Sequence, residues 1–257
     1  MATIDSLSFI LALLTAVASG LVGSFALMRR MTLAGDAFSH IALPGIGLAI
    51  LYSYNPIVGG AAALIVGAFL IWNIERRTRL NTEAIIGVLF SVSLAVGALA
   101  IENEDELIET LFGGIGSVSI LEFAIGSLVA ILVVWFIMAY RRTLVLMLVS
   151  EELAKTASVR TGQLQLLFLL AFAGTVILGL QFLGVLLMGS LIIIPAATAR
   201  NIAKNLTGML ITASGVSVVS VVSGMFAAQF FSVSLGPSII IVAGAFFVFS
   251  LIVGGKA

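Results

Sequence analysis

The sequence predicts an all-α fold, a polytopic helical membrane bundle of about eight to nine transmembrane helices, and three observations predict it. Of 257 residues, 61% are apolar and only 9% charged, with a mean hydropathy of +1.27, beyond the range of water-soluble domains. The charged residues are bunched, and the gaps between bunches are long enough for a helix rising about 1.5 Å per residue to cross about 30 Å of hydrocarbon. Within those gaps the apolar runs are continuous, not alternating, which selects helices over a closed β-barrel, the other architecture that satisfies a backbone in lipid.

The elements follow in order. Leu7 to Met28 is the first span; the preceding "MATIDSLSF" lacks a basic n-region, so a full crossing is expected and not a cleaved leader. Arg29 and Arg30 end it, and Met31 to Tyr52 is the second, carrying "LPGIG", where Pro44 and Gly45 favour a kink or break or are simply tolerated. Ile57 to Ile74 stops before Arg76, Arg77 and Arg79, and Ala84 to Ile101 stops at the acidic "ENEDELIE". Ile120 to Tyr140 ends at Arg141 and Arg142. The run Leu164 to Ala199 is too long for one crossing and short for two; with "QFLG" as the turn it divides into Leu164 to Phe182 and Gly184 to Ala199. Thr207 to Ala228 and Pro237 to Val253 complete nine. One domain, residues 1–257, is expected.

A chain that starts outside and crosses nine times places Arg29, Arg30, Arg76, Arg77, Arg79, Arg141, Arg142, Lys155, Arg160, Arg200, Lys204 and Lys256 on the inner face. These are all twelve basic residues, as the positive-inside rule demands. The opposite face then carries Glu102, Glu104, Asp105, Glu106 and Glu109. They read either as a solvated loop or as a cation-attracting vestibule or docking surface for an outside partner. Small-residue pairs such as Ala16 with Gly20 and Ser220 with Gly224 suit close helix packing and say little about function.

The chemistry concentrates in "LAGDAFSHIALPG". Asp36 and the only histidine, His40, are four residues apart, one turn along one helix face, inside an apolar span. A charged Asp at the centre of a span costs about 2.5–3.5 kcal/mol on the insertion scale, so something offsets it. Three readings fit: a structural ion pair, a proton relay, or a divalent-cation site of borderline hardness that suits Zn2+, Mn2+ or Fe2+. With no cysteine, thiolate sites and disulfides are excluded. Two ligands are too few for a stable metal site, and Glu122 lies at the outer end of its own span. A cation site would therefore be a transient one completed by water and hydroxyls such as Ser39, or one assembled across a homodimer axis.

These residues carry a family resemblance. "RRMTLAGDAFSHIALPG" resembles the signature of the permease subunits of zinc/manganese ABC importers. "LFGGIGSVS" from Leu111 is similar to that family's outer hairpin, "SEELAKTASVRTG" to its cytoplasmic coupling segment, and "GSLIIIPAATAR" from Gly189 to its late Pro-Ala-Ala-Thr-Ala-Arg block. The resemblance implies a multi-pass protein of the cytoplasmic membrane. It implies a homodimer working with a cytoplasmic ATP-binding subunit and an extracellular metal-binding protein, with Asp36 and His40 lining the path of transported Zn2+ or Mn2+. It also implies an ATPase-coupling segment over about 141–163, with Glu151, Glu152, Ala154 and Gly162 as its contacts. The chain has no Gly-x-x-x-x-Gly-Lys-Ser/Thr loop, so it is expected to be no enzyme and to hold no cofactor, any ATP use belonging to a partner. Some zinc-type members place another histidine in the fourth span, where this chain has Ser91 and Ser93; that tilts the expected cargo slightly toward Mn2+. The rival class is a proton-coupled carrier using Asp36 and His40 as the relay, which would work without an ATPase.

Overall fold

In a computed structural model, the structure describes residues 5–31, 33–78, 80–100 and 118–254. The described residues form helices and connections without strands, as hydrocarbon requires of a backbone that must bond to itself. The elements are α1 (Ser6–Met28), α2 (Ala34–Ile41), α3 (Leu43–Leu51), α4 (Pro56–Arg77), α5 (Thr82–Ala100), α6 (Ile120–Val149) and α7 (Glu151–Thr156). Then come α8 (Thr161–Leu180), α9 (Leu183–Ile202), α10 (Leu206–Phe231) and α11 (Leu235–Gly254). With α2 and α3 counted as one crossing, nine spans among the described residues are long and apolar enough to traverse a membrane.

Local chemistry sets the helix ends. Asn55 Oδ1 accepts from the Ile57 amide at 2.9 Å, with Pro56 opening α4; Ser119 and Glu122 form a reciprocal capping box at α6; Asn205 Oδ1 accepts from the Gly208 amide at 2.7 Å at α10. At the end of α1 the chain turns back on itself. The Met31 amide donates to the Ala26 carbonyl at 2.9 Å and the Arg30 amide to Leu27 at 3.1 Å, with Arg30 at φ 61°. Within the spans, hydroxyls donate to the carbonyl four residues back, as Thr15 does to Leu11 at 2.8 Å and Thr175 to Ala171 at 2.9 Å.

The long apolar run after Thr161 is a hairpin. Phe168 lies under Arg29, at the end of α1 that carries the arginines, while Leu178 meets the opposite end of α1 near Leu11. Leu183 and Leu191 then lie beside Ala12 and Thr15, and Ala199 packs beside Leu27 and Met28. So α8 runs antiparallel to α1, and α9 returns parallel to it. The reversal sits at Gly184, at φ 71° and ψ 176°, a region that only glycine enters readily. The "QFLG" turn was expected there, but the return span is longer than Gly184 to Ala199. Around this hairpin α1 is the most enclosed span and α5 the least.

The break that Pro44 and Gly45 favour is present, and several boundaries differ from expectation, α4 running on to Arg77 and α10 to Phe231 among them. The second span breaks at Ala42, where the amide reaches only to the Ser39 carbonyl at 3.2 Å. Pro44, two residues on, supplies no N–H for the His40 carbonyl. The fourth span begins at Thr82 and not Ala84. The fifth does not end at Tyr140: α6 continues through Arg141 and Arg142 to Val149, so the first part of the expected 141–163 loop is helix. At 30 residues, α6 is about 45 Å long and exceeds the hydrocarbon by about 15 Å.

Gly184→Ala is expected to cost about 1–3 kcal/mol, because a Cβ is strained at that φ and ψ. Thermal unfolding in detergent checks it, with a lowered midpoint expected.

Candidate functional site

The first turn of α2 carries Asp36, where the unpaired amides of a helix start favour a carboxylate. The pair lies at mid-depth among its neighbours, as the sequence suggested: Ile41, next to His40, meets Gly67 in the middle of α4, His40 meets Phe90 in the middle of α5, and the Asp36 backbone lies against Gly189 well inside α9. Asp36 is exposed and lines a cavity of about 150 Å3 between α2 and α5, with Leu33, Ala37, Ile86 and Phe90 among its walls. His40, one turn further in, is 8% exposed, and its Nδ1 has no hydrogen-bond partner. Phe90 joins the two, lining the cavity while meeting the imidazole edge-on at a ring separation of 5.1 Å. Asp36 is close enough to His40 for its charge to act on the ring.

The placement of α2 rests on a backbone contact with α9. A Cβ built on Gly189 would lie 2.5 Å from the Asp36 nitrogen, and one on Gly35 would lie 3.0 Å from the Gly189 Cα. Neither position has room for a side chain without moving the helix that carries Asp36.

A second carboxylate, unremarked in the sequence, belongs to this cavity. Glu83, in the first turn of α5, lines it with Asp36. The packing of α5 against α2 brings it to Asp36. Ser39, expected as an auxiliary ligand, is fully buried and donates its proton to the Gly35 carbonyl at 2.9 Å. Ser91 likewise donates to Gly87 at 3.0 Å. Among the described residues no three His, Cys, Asp or Glu side chains gather within one chain in a way that could hold a metal ion.

At the arginine-bearing end, beyond α6, Ser150 caps α7 by accepting from the Leu153 amide at 3.2 Å. Along α7, Glu151 opens the helix, Glu152 is exposed and Ala154 is buried. Gly162 accepts from Trp72 Nε1 at 2.5 Å. Between α4, α6, α7 and α8 opens a polar cavity of about 420 Å3, lined by Glu75, Arg76, Lys155 and Gln165 among others. The structure thus separates two groups of expected residues, Asp36 with His40 on α2, and exposed Glu152, buried Ala154 and half-buried Gly162 on α7 and the start of α8. The acidic set Glu102, Glu104, Asp105, Glu106 and Glu109 lies outside the described residues, and Glu122 is occupied in its capping box.

Because the chain has no native cysteine, thiol labelling reads this geometry directly. Asp36→Cys is expected to react with a small maleimide at least about tenfold faster than His40→Cys, as the exposure of one and burial of the other require.

Comparison with known proteins follows this geometry. The profile of the ABC 3 transport family matches residues 5–254. The chain is 29% identical over 252 residues to the manganese import system permease protein ScaB of Streptococcus gordonii, covering 97% of this chain and 91% of that protein. It is 28% identical over 249 residues to the high-affinity zinc uptake system membrane protein ZnuB of Haemophilus influenzae, covering 93% and 95%. Among solved structures, PsaBC from Streptococcus pneumoniae in complex with Fab superposes with a TM-score of 0.81 at 28% identity, over 95% of this chain and 89% of that one.

Proposed function

The chain belongs to the ABC 3 transport family, and we propose that it is the permease subunit of an importer carrying Zn2+ or Mn2+ across the cytoplasmic membrane, driven by a separate ATP-binding subunit. One observation carries the residue-level reading: Asp36 and His40 stand a turn apart on α2, one at a cavity and one buried with a free ring nitrogen. Carboxylate and imidazole together suit a divalent ion of intermediate hardness.

One chain brings too few such ligands together among the described residues, which favours a homodimer whose axis places two copies of the pair around one path. A site shared in this way binds weakly enough to release its cargo, as transport needs. An extracellular metal-binding protein delivers the ion, and the ATPase docks on 141–163, with Glu151, Glu152, Ala154 and Gly162 as the contact set. Helix α6, projecting past the hydrocarbon, and the capped α7 offer that partner an ordered surface. The proton-coupled carrier finds no support among the relatives.

Metal-starved cells carrying wild type, Asp36→Ala or His40→Ala test the path. Cell manganese or zinc is expected to fall about tenfold in both variants at normal membrane expression; unchanged content of both metals would sink the reading. For the docking segment, cross-linking from Glu152→Cys to the co-purified ATPase is the check, and a product is expected.

A further inference from the structure

Four helix ends meet at the basic end of the bundle through one chain of polar side chains. Arg29, closing α1, donates from Nη1 to Gln165 Oε1; Gln165 Nε2 donates to Glu75 Oε2 at 3.2 Å; and Thr82 Oγ1, opening α5, donates to Glu75 Oε1. The amide of Gln165 is thus oriented by opposite charges, its oxygen toward the cation and its nitrogen toward the carboxylate. Arg29 also stacks on Phe168 at 4.6 Å. Burial pushes the Arg29 guanidinium down to about 10 while Glu75 opposes the shift.

What the chain connects matters more than its strength. Arg29 leads into α2 through a closed turn, with Met31 buried and the Ala34 amide bonded to the Met31 carbonyl at 3.1 Å; Asp36 follows two residues later. Glu75 holds Thr82, and the next residue, Glu83, stands on the α5 wall of the Asp36 cavity. The two walls of that cavity are therefore tied at their ends to the two ends of one amide. Gln165 itself is the fifth residue of α8, which follows α7 after one closed turn, where the Val159 amide bonds to the Ala154 carbonyl and the Ser158 amide to Lys155, both at 3.0 Å.

We propose that Gln165 is a positioning residue for transport: it sets the spacing of α2 and α5 around the Asp36 cavity and hands movement of the 151–162 segment to both walls. This rests on the importer reading above. Movement of α7 by a docked partner drags the start of α8, and the amide pulls on Arg29 and Glu75 together.

The test uses the permease assembled with its ATPase and binding protein in vesicles, reading metal moved per ATP hydrolysed. Gln165→Glu faces Glu75 with a second carboxylate and removes the donor; Glu75→Gln leaves Arg29 without its counter-charge. Each is expected to lower the ratio about fivefold or more with the ATPase still bound. The double variant E75Q/Q165E moves the carboxylate one step along the chain and keeps every hydrogen bond, so the ratio is expected to return to within about twofold of wild type. Single variants at the wild-type ratio overturn the proposal, as does a double variant no better than the worse single. If Gln165→Glu fails to assemble, the double variant carries the test: assembly at near the wild-type ratio supports the proposal, and failure overturns it. A second measurement reads geometry alone. With Asp36→Cys and Glu83→Cys in the cysteine-free chain, adding Gln165→Glu is expected to change the cross-linking rate by a short bifunctional reagent about threefold; an unchanged rate overturns the spacing role. Wild-type vesicles that move no metal would instead overturn the importer reading itself.

Discussion

Hydrocarbon offers no partner for a free N–H or C=O, and this constraint orders everything else in the molecule. Each span is a helix because nothing else closes its own hydrogen bonds there. Each departure from regular helix is compact and self-bonded: the closed turn at Arg30, the shortened bond at Ala42, the single glycine at Gly184. Several hydroxyls obey it, Thr15, Ser39 and Thr175 returning their protons to the carbonyl one turn back, while those of Ser8, Ser19, Ser127, Ser217 and Ser220 are buried without a partner. Among the described buried side-chain atoms without a partner, one is not a hydroxyl. The Nδ1 of His40, buried without a partner beside a carboxylate-lined cavity, is a polar atom kept out of that accounting in the helix that carries the chemistry.

Packing in such a solvent cannot rely on driving apolar surface out of water, so contact distance takes over. Gly35 against Gly189 brings two backbones within reach of each other at the residue before Asp36. The same economy appears at the basic end, where a few charged and amide groups join four helix ends. Shape holds the middle of the bundle and polarity holds its end. The candidate cavity lies where the two regimes meet.

The order of the spans could be read from the sequence because charge stops a membrane crossing, and Arg29 with Arg30 did so at the residue the structure confirms, Met28. Charge does not stop a helix, which is why Arg141 and Arg142 misled: α6 leaves the hydrocarbon there and keeps winding to Val149. The pairing of Asp36 with His40 is a matter of helical period within eight residues and was equally open to reading. Glu83 and Gln165 were not, since their partners lie 47 and 136 residues away and no local pattern encodes them. The bond from Ser39 to the Gly35 carbonyl was not legible either, since it is the helix geometry that claims the proton of that hydroxyl.

The Gly184 hairpin also bears on how the chain is made. Between Leu180 and Leu183 there is no charged residue and no loop long enough to wait in water while the second half is synthesised. Nor does any basic residue separate the two spans to tell the insertion machinery where one stops. The pair must leave the translocation channel together, as one folded unit, with the reversal formed as the residues emerge. A glycine at the tip then serves biogenesis as well as architecture, because a chain slow to reverse at that point would leave Arg200 on the wrong side of the membrane.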